Sequence, residues 1–171
     1  MSRSLAGWAF VSLGSNQGDS RQQLADAIAF LQGLSPLPLL QSSLWNSAPL
    51  DCPPGSPNFL NAVVGLQPKD GETPESLFRQ MQSFERQAGR RSSKTPNAPR
   101  LIDLDLIAFG SERRDTAELI LPHPRATQRR FVLEPLAELA PELVLPGQSQ
   151  PVRQLLKSIG TTQVLEPAGG F

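Results

Sequence analysis

The chain has 171 residues, of which 39% are hydrophobic and 19% charged, enough to bury a sizeable core and consistent with one globular domain over residues 1–171. Its 16 basic and 16 acidic side chains cancel, which argues against a general nucleic-acid or membrane-surface binder. The single Cys52 excludes an intrachain disulfide and a cysteine metal cluster, and the apolar stretch at residues 6–13 is too short to span a bilayer. With no signal-peptide pattern, a cytoplasmic location and no membrane partner are expected.

In chain order, WAFVSLG at residues 8–14 reads as a buried strand closed by glycine. Asp19 or Ser20 then caps a helix running to about residue 34, with Leu24, Ala27, Ile28 and Leu31 on one face. Pro36 and Pro38 stop it, and residues 39–46 form a second strand. Residues 47–58 are a proline-rich loop, and FLNAVVGLQ at 59–67 is a third strand. Thr73 caps a second helix with Pro74 at its first position, an apolar stripe of Leu77, Phe78, Met81 and Phe84, and Gly89 as its stop. After a polar loop at 90–99, residues 102–110 form a fourth strand. A short extended piece ends in LPHP, helices follow at 127–139 and 152–159, and EPAGGF is expected to be frayed. The order β-α-β-β-α-β with a C-terminal helical extension predicts an α+β, ferredoxin-like fold: an antiparallel sheet with both core helices on one face.

Chemistry concentrates in RLIDLDLI. Strand alternation turns Asp103 and Asp105 to one face, about 7 Å apart, and Leu104 and Leu106 to the other. Two neighbouring carboxylates repel unless a cation lies between them, and magnesium commonly takes one or two carboxylates together with substrate phosphates. A pair of solvated acids is the competing reading. Arg90, Arg91, Lys94 and Arg100 precede the pair, as either a polyphosphate-binding loop or a solvated basic one. His123, between two prolines and followed by Arg129 and Arg130, is either structural or a phosphate contact. Asn61 sits inside an apolar strand, as either a satisfied core amide or a recogniser of a heterocycle edge, with Phe59 and Phe131 as candidate flat faces. Gln82 and Glu85 share a helix face, with surface polarity as the default. GSN at residues 14–16 is a weak glycine signal taken alone, and no Walker-type loop or zinc spacing is present.

VSLGSN, FLNAVV, QSFERQAGR, APRLIDLDLIAFG, LPHPR and RRFVLEPLAELAPELVLP occur in this order. Together they closely resemble the 6-hydroxymethyl-7,8-dihydropterin pyrophosphokinase family, over about residues 8–160, with residues 161–171 as a tail. The resemblance implies transfer of the pyrophosphoryl group of ATP to the pterin hydroxymethyl oxygen, with AMP released, in folate biosynthesis. It implies two magnesium ions held by Asp103 and Asp105. ATP contacts fall on Gln82, Glu85, Arg90, Arg100, Leu106 through its main chain, His123 and Arg129. The pterin pocket falls on Ser47, Pro49, Leu50, Phe59, Asn61 and Phe131. Arg90, Arg100 and Asp103 take the catalytic roles, the arginines by charge stabilisation and Asp103 by polarising the hydroxyl. The implied partners are the two small-molecule substrates, with no nucleic acid, and the expected state is a monomer. The family pattern has a second arginine where this chain has Ser92 and a tryptophan where it has Asn97. These departures lead to an expectation of slower turnover or weaker closure of the loops at 47–58 and 90–99. A different two-metal transferase would share the aspartates but has no need of Asn61, Phe59 and Phe131. An RNA-binding module of this topology would carry an aromatic RNP sequence, which is not evident. A pterin or nucleotide binder without activity is the third alternative.

Overall fold

A computed structural model describes residues 4–49, 54–92, 101–160 and 163–170, without side-chain placement at 90–92. The core strands are β1 (Ala9–Ser15), β2 (Leu40–Gln41), β3 (Leu44–Ser47), β4 (Phe59–Leu66) and β5 (Asp103–Phe109). Helix α1 (Ser20–Gln32) follows β1 and α2 (Pro74–Ser92) follows β4. Beyond them lie the short strands β6 (Arg114–Asp115) and β7 (Ile120–Leu121), a 3-10 turn at Ala126–Gln128, α3 (Arg130–Leu139), α4 (Val152–Ser158) and β8 (Leu165–Gly169). The main sheet runs β5-β1-β4-β3-β8, with β2 also on β4, and its pairings are antiparallel. This is the expected α+β order with β1 at the centre of the core.

The helix starts follow the sequence signals. Gln22 N–H donates to Asp19 Oδ1 at 3.1 Å, and Ser76 N–H to Thr73 Oγ1 at 3.0 Å, each satisfying an amide that the helix itself leaves unpaired. Leu24, Ala27, Ile28 and Leu31 of α1 and Leu77 and Met81 of α2 pack on one sheet face with Val11, Leu13, Ala62, Leu104 and Leu106. Phe30 and Phe84 stack between the two helices with centroids 4.6 Å apart. The opposite face carries Trp8, Phe10, Val63 and Ile107 and is covered by α3 through Val132, Leu133 and Leu136, with Val152 from α4. Pro135 sits inside α3, where a proline costs about 3 kcal/mol. Burying Val132, Leu133 and Leu136 contributes about 1.5–3 kcal/mol each, which outweighs that cost.

Four expectations need correction. The second strand is broken: the Ser42 hydroxyl accepts from Val63 N–H at 2.9 Å, and that side-chain bond separates β2 from β3. Helix α2 continues past Gly89 to Ser92, because Gly89 does not take the left-handed conformation that would end it. The helix expected at 127–139 is a 3-10 turn followed by α3. The C-terminal extension is not only helical, and its end is not frayed. β8 pairs with β3, setting Leu165 against Ser47 and Pro167 against Trp45. Arg21 at the start of α1 donates from Nη2 to the Ala168 carbonyl at 2.6 Å and from Nη1 to Gly170 at 2.8 Å. The polar, proline-bearing composition hides this strand, because its stability comes from a partner more than a hundred residues away.

Arg21→Ala is expected to lower Tm by about 2–4 °C, corresponding to ~1 kcal/mol for a chain of this size. It should also speed hydrogen exchange at the β3–β8 pairs ahead of the central strands. An unchanged exchange pattern would show that the ladder alone holds β8.

Candidate active site

The centre of the site is a row across the sheet. Gly14 on β1 pairs with Asn61 on β4 and with Asp103 on β5, and Asn61 pairs in turn with Trp45. Strands lie about 4.8 Å apart, so Asp103 and Asn61 are separated by about 10 Å with only a glycine between them. A Cβ on Gly14 would lie 3.3 Å from Asn61 Oδ1 and 3.9 Å from Phe59 Cδ1. The glycine therefore keeps a slot open between the amide and the carboxylate.

On the β4 side, Asn61 is 2% exposed and Nδ2 donates to Ser47 Oγ at 2.7 Å, with longer contacts to the Trp45 and Phe59 carbonyls. The donor end of the amide is thus satisfied internally, while Oδ1 faces the gap above Gly14 and can accept from a heterocycle N–H. Phe59 stands two residues away on the same sheet face, and Phe131 lies in the first turn of α3, which covers that face. Pro49 lies two residues beyond β3 and Ser47 ends that strand. Leu50 and Arg100 lie outside the described residues, as do Cys52, Lys94 and Asn97 and the side chains of Arg90 and Ser92.

On the β5 side, Asp103 and Asp105 are half-exposed, whereas Leu104 and Leu106 are buried in the α1/α2 core, as strand alternation requires. A bulge near Ile107 breaks this alternation only beyond Leu106. β5 is an edge strand, so its outward amides need other partners. Leu104 N–H finds the Glu85 carboxylate at 3.2 Å. This places Glu85 against the strand, not at the solvated surface. Leu106 has the same parity, so its peptide N–H also points away from β1. It points into a cleft of about 330 Å³ that includes Met81, Gln82, Glu85, Asp105 and His123 in its lining. The hairpin of β6 and β7 forms the far wall and is tied to α2 by the Arg79–Glu118 ion pair at 2.8 Å and by Arg114 with Glu75.

His123 is held by its own amide, which donates to the Ile107 carbonyl at 2.9 Å. Its Nδ1 accepts from Arg125 N–H at 3.2 Å, so the neutral ring carries its proton on Nε2, which lies 3.8 Å from Asp105 Oδ1. Arg129 Nη1 is also 3.8 Å from Asp105, and its guanidinium lies 5.5 Å from the centre of the Phe131 ring. Arg129 therefore bridges the carboxylate side and the aromatic side of the site. The structure brings together Gln82, Glu85, Asp103, Asp105, Leu106, His123 and Arg129 at one edge, and Ser47, Phe59, Asn61 and Phe131 at the other. Sequence reasoning missed the wall formed by residues 116–120, whose composition resembles any surface turn. It also missed the role of Gly14, for which GSN was the available signal.

Burial is the largest influence on His123 and holds its pKa below the ordinary 6.5; Asp105 opposes this, and Arg129 and Arg125 reinforce it. The folded protein thus binds this proton less readily than the unfolded chain. The corresponding stability is complete above about pH 6.5 and is lost as pH falls through the depressed value. Denaturant unfolding of the ligand-free protein between pH 7.5 and 5 should show stability falling with acid, and His123→Gln should flatten that slope. Parallel slopes in the two proteins would count against the assignment.

Known proteins resemble this chain in sequence and in fold. Residues 10–141 match the family model for 7,8-dihydro-6-hydroxymethylpterin-pyrophosphokinase. The 2-amino-4-hydroxy-6-hydroxymethyldihydropteridine pyrophosphokinase of Synechocystis is 35% identical over 164 residues, covering 95% of this chain and 82% of the relative. The Pseudomonas aeruginosa protein of the same name is 37% identical over 139 residues, covering 80% and 83%. In fold, a Plasmodium falciparum HPPK-DHPS crystal structure superposes with a TM-score of 0.63 at 12% identity. That match covers 88% of this chain, which spans 42% of the longer Plasmodium chain. On the extent of the match and on the two bacterial relatives, the chain belongs to the 7,8-dihydro-6-hydroxymethylpterin-pyrophosphokinase family.

Proposed function

We propose that this protein transfers the pyrophosphoryl group of ATP to the hydroxymethyl oxygen of 6-hydroxymethyl-7,8-dihydropterin, with AMP as the leaving product, in folate biosynthesis. The observation that carries this reading is the row Asp103–Gly14–Asn61. It sets an amide suited to a heterocycle edge about 10 Å from a carboxylate, a distance that suits a bicyclic ring bearing a one-carbon alcohol. The family membership and the names of the relatives support the same reaction.

The donor set fits magnesium. Asp103 and Asp105 supply two half-exposed carboxylates on one face, and among the described residues no group of three or more metal-ligating side chains competes for an ion. One or two carboxylates completed by phosphate oxygens and water match the habit of this cation. Asp103 and Asp105 would hold the two ions the resemblance implies. Such ions, when bound, neutralise phosphate oxygens on which charge develops.

The chain's own groups then divide the work. The edge of β5 at Leu106 reads the adenine through its main chain, and Gln82 and Glu85 line the same cleft. His123, neutral with its proton on Nε2, donates to a phosphate oxygen, and Arg129 supplies a fixed positive charge beside Asp105. Asn61 Oδ1 accepts from the pterin N–H edge, with Phe59 and Phe131 on its faces. The pterin oxygen bonds to the β-phosphorus and the bond to the α,β-bridging oxygen breaks, so AMP leaves with that oxygen. The hydroxyl proton departs toward Asp103, the carboxylate in the row of Asn61. Arg90 and Arg100 complete the charge stabilisation in this reading.

Incubation with ATP, magnesium and the reduced hydroxymethylpterin should yield AMP only when the pterin is present. Asp105→Asn should lower kcat by about 100-fold or more. Gly14→Ala should raise KM for the pterin by about tenfold while leaving KM for ATP within twofold, because its Cβ would press on Asn61 Oδ1. Absence of pterin-dependent AMP would sink the reading.

A further inference from the structure

The GSN turn at the end of β1 touches both halves of the site, through a different residue in each case. Ser15 is 1% exposed, and its hydroxyl donates to the Leu101 carbonyl at 2.6 Å, across 86 positions of sequence. Ser15 Oγ also lies 3.2 Å from the Ser20 hydroxyl oxygen and 3.5 Å from the Gln17 carbonyl oxygen. Asn16 Nδ2 reaches the other way, to the Pro57 carbonyl at 3.4 Å, two residues before Phe59.

The Ser15 bond lies where the backbone ladder ends. Pairing between β1 and β5 stops at Gly14 with Asp103, whereas β1 continues one residue further along β4, to Ser15 with Leu60. Beyond Asp103, the Ser15 side chain supplies the connection that a backbone rung would otherwise make. Leu101 adjoins Arg100 and stands two residues before Asp103, so this one bond sets the direction in which β5 begins.

We propose that Ser15 is a positioning residue for the metal-binding strand, acting through the Leu101 carbonyl to present Asp103 at its working angle. This rests on the reading that Asp103 and Asp105 hold the ions. Asn16 performs the corresponding service for the pterin loop, so the two neighbouring residues set the two half-sites separately. Removing the Ser15 hydroxyl takes this partner from the part-buried Leu101 carbonyl and lets the start of β5, with Asp103, shift, while both carboxylates remain in the chain.

The test is binding, not turnover. Mn²⁺ affinity is measured by water-proton relaxation on the full chain with a non-hydrolysable ATP analogue, and pterin affinity by calorimetry at saturating metal. Ser15→Ala should weaken Mn²⁺ binding about three- to tenfold and leave pterin affinity within twofold. Ser15→Cys, which retains a weak donor of similar size, should recover part of the loss, and it carries the test if Ser15→Ala does not fold. Asn16→Ala should show the reverse split. Unchanged Mn²⁺ affinity in the serine variants, or equal weakening of both ligands in step with Tm, would overturn the proposal. Asp105→Asn separates it from its premise. If that variant weakens Mn²⁺ binding and Ser15→Ala does not, only the positioning role fails; if neither does, the metal assignment fails with it.

Discussion

Everything at this site depends on β1 being hydrogen-bonded on both sides. A strand with two partners has its register set twice, once by β4 and once by β5, and a slip of one residue would turn all its side chains over. The candidate amide and carboxylate are not on β1 at all. They are on its neighbours, and β1 contributes mainly an absence: Gly14, with no side chain to fill the space between Asn61 and Asp103. The apolar alternation of β1, with Ala9, Val11 and Leu13 toward α1 and α2 and Trp8 and Phe10 toward α3, enforces that register. The buried core therefore sets how far apart amide and carboxylate stand.

The electrostatics follow the same division. The chain has no net charge, yet Asp105 has both His123 and Arg129 within 4 Å on the rim of the cleft beside β5. Half-burial makes these charges matter more than their number suggests, because the low-dielectric sheet lies behind them. His123 illustrates the balance. Burial favours its neutral form although Asp105 draws it toward the charged one, and its backbone hydrogen bond to Ile107 fixes the main chain from which the ring projects. A neutral donor beside a permanently charged guanidinium offers a polyphosphate two kinds of contact at one place.

Local patterns in the sequence carried the fold a long way. The period-two alternation of IDLDLI placed both aspartates on one face, and the Thr73–Pro74 and Asp19 signals located the starts of both core helices. Those inferences succeed because the physics is contained within four to eight residues. What stayed hidden depends on distant partners. Leu165–Gly169 becomes a strand only because β3 offers an edge and Arg21 two donors. Glu85 is a plausible surface residue until Leu104 on an edge strand presents an amide that needs an acceptor. Ser42 breaks a strand through a bond to Val63 that its neighbours in sequence do not foretell. For the site, Asn61 and the aspartates were legible as odd residues in apolar strands, whereas Ser15 was not, since a serine after a glycine has the composition of any turn.

The two edges of the sheet are treated differently, and this bears on how the protein avoids sticking to itself. On the β3 side, β8 adds a final strand, and Arg21 occupies its Ala168 carbonyl and the Gly170 carbonyl just beyond it. On the β5 side the edge at Leu106 faces an open cleft, and an open edge is a template for pairing with another chain. Here its guards are the Glu85 carboxylate on the Leu104 amide and the hairpin of β6 and β7, fastened to α2 by ion pairs. Under the proposed function, a nucleotide filling the cleft would occupy the same backbone positions that a stray strand would. Main-chain reading of adenine, as proposed, would make the substrate a cap on the β5 edge and would link occupancy and solubility at a single strand.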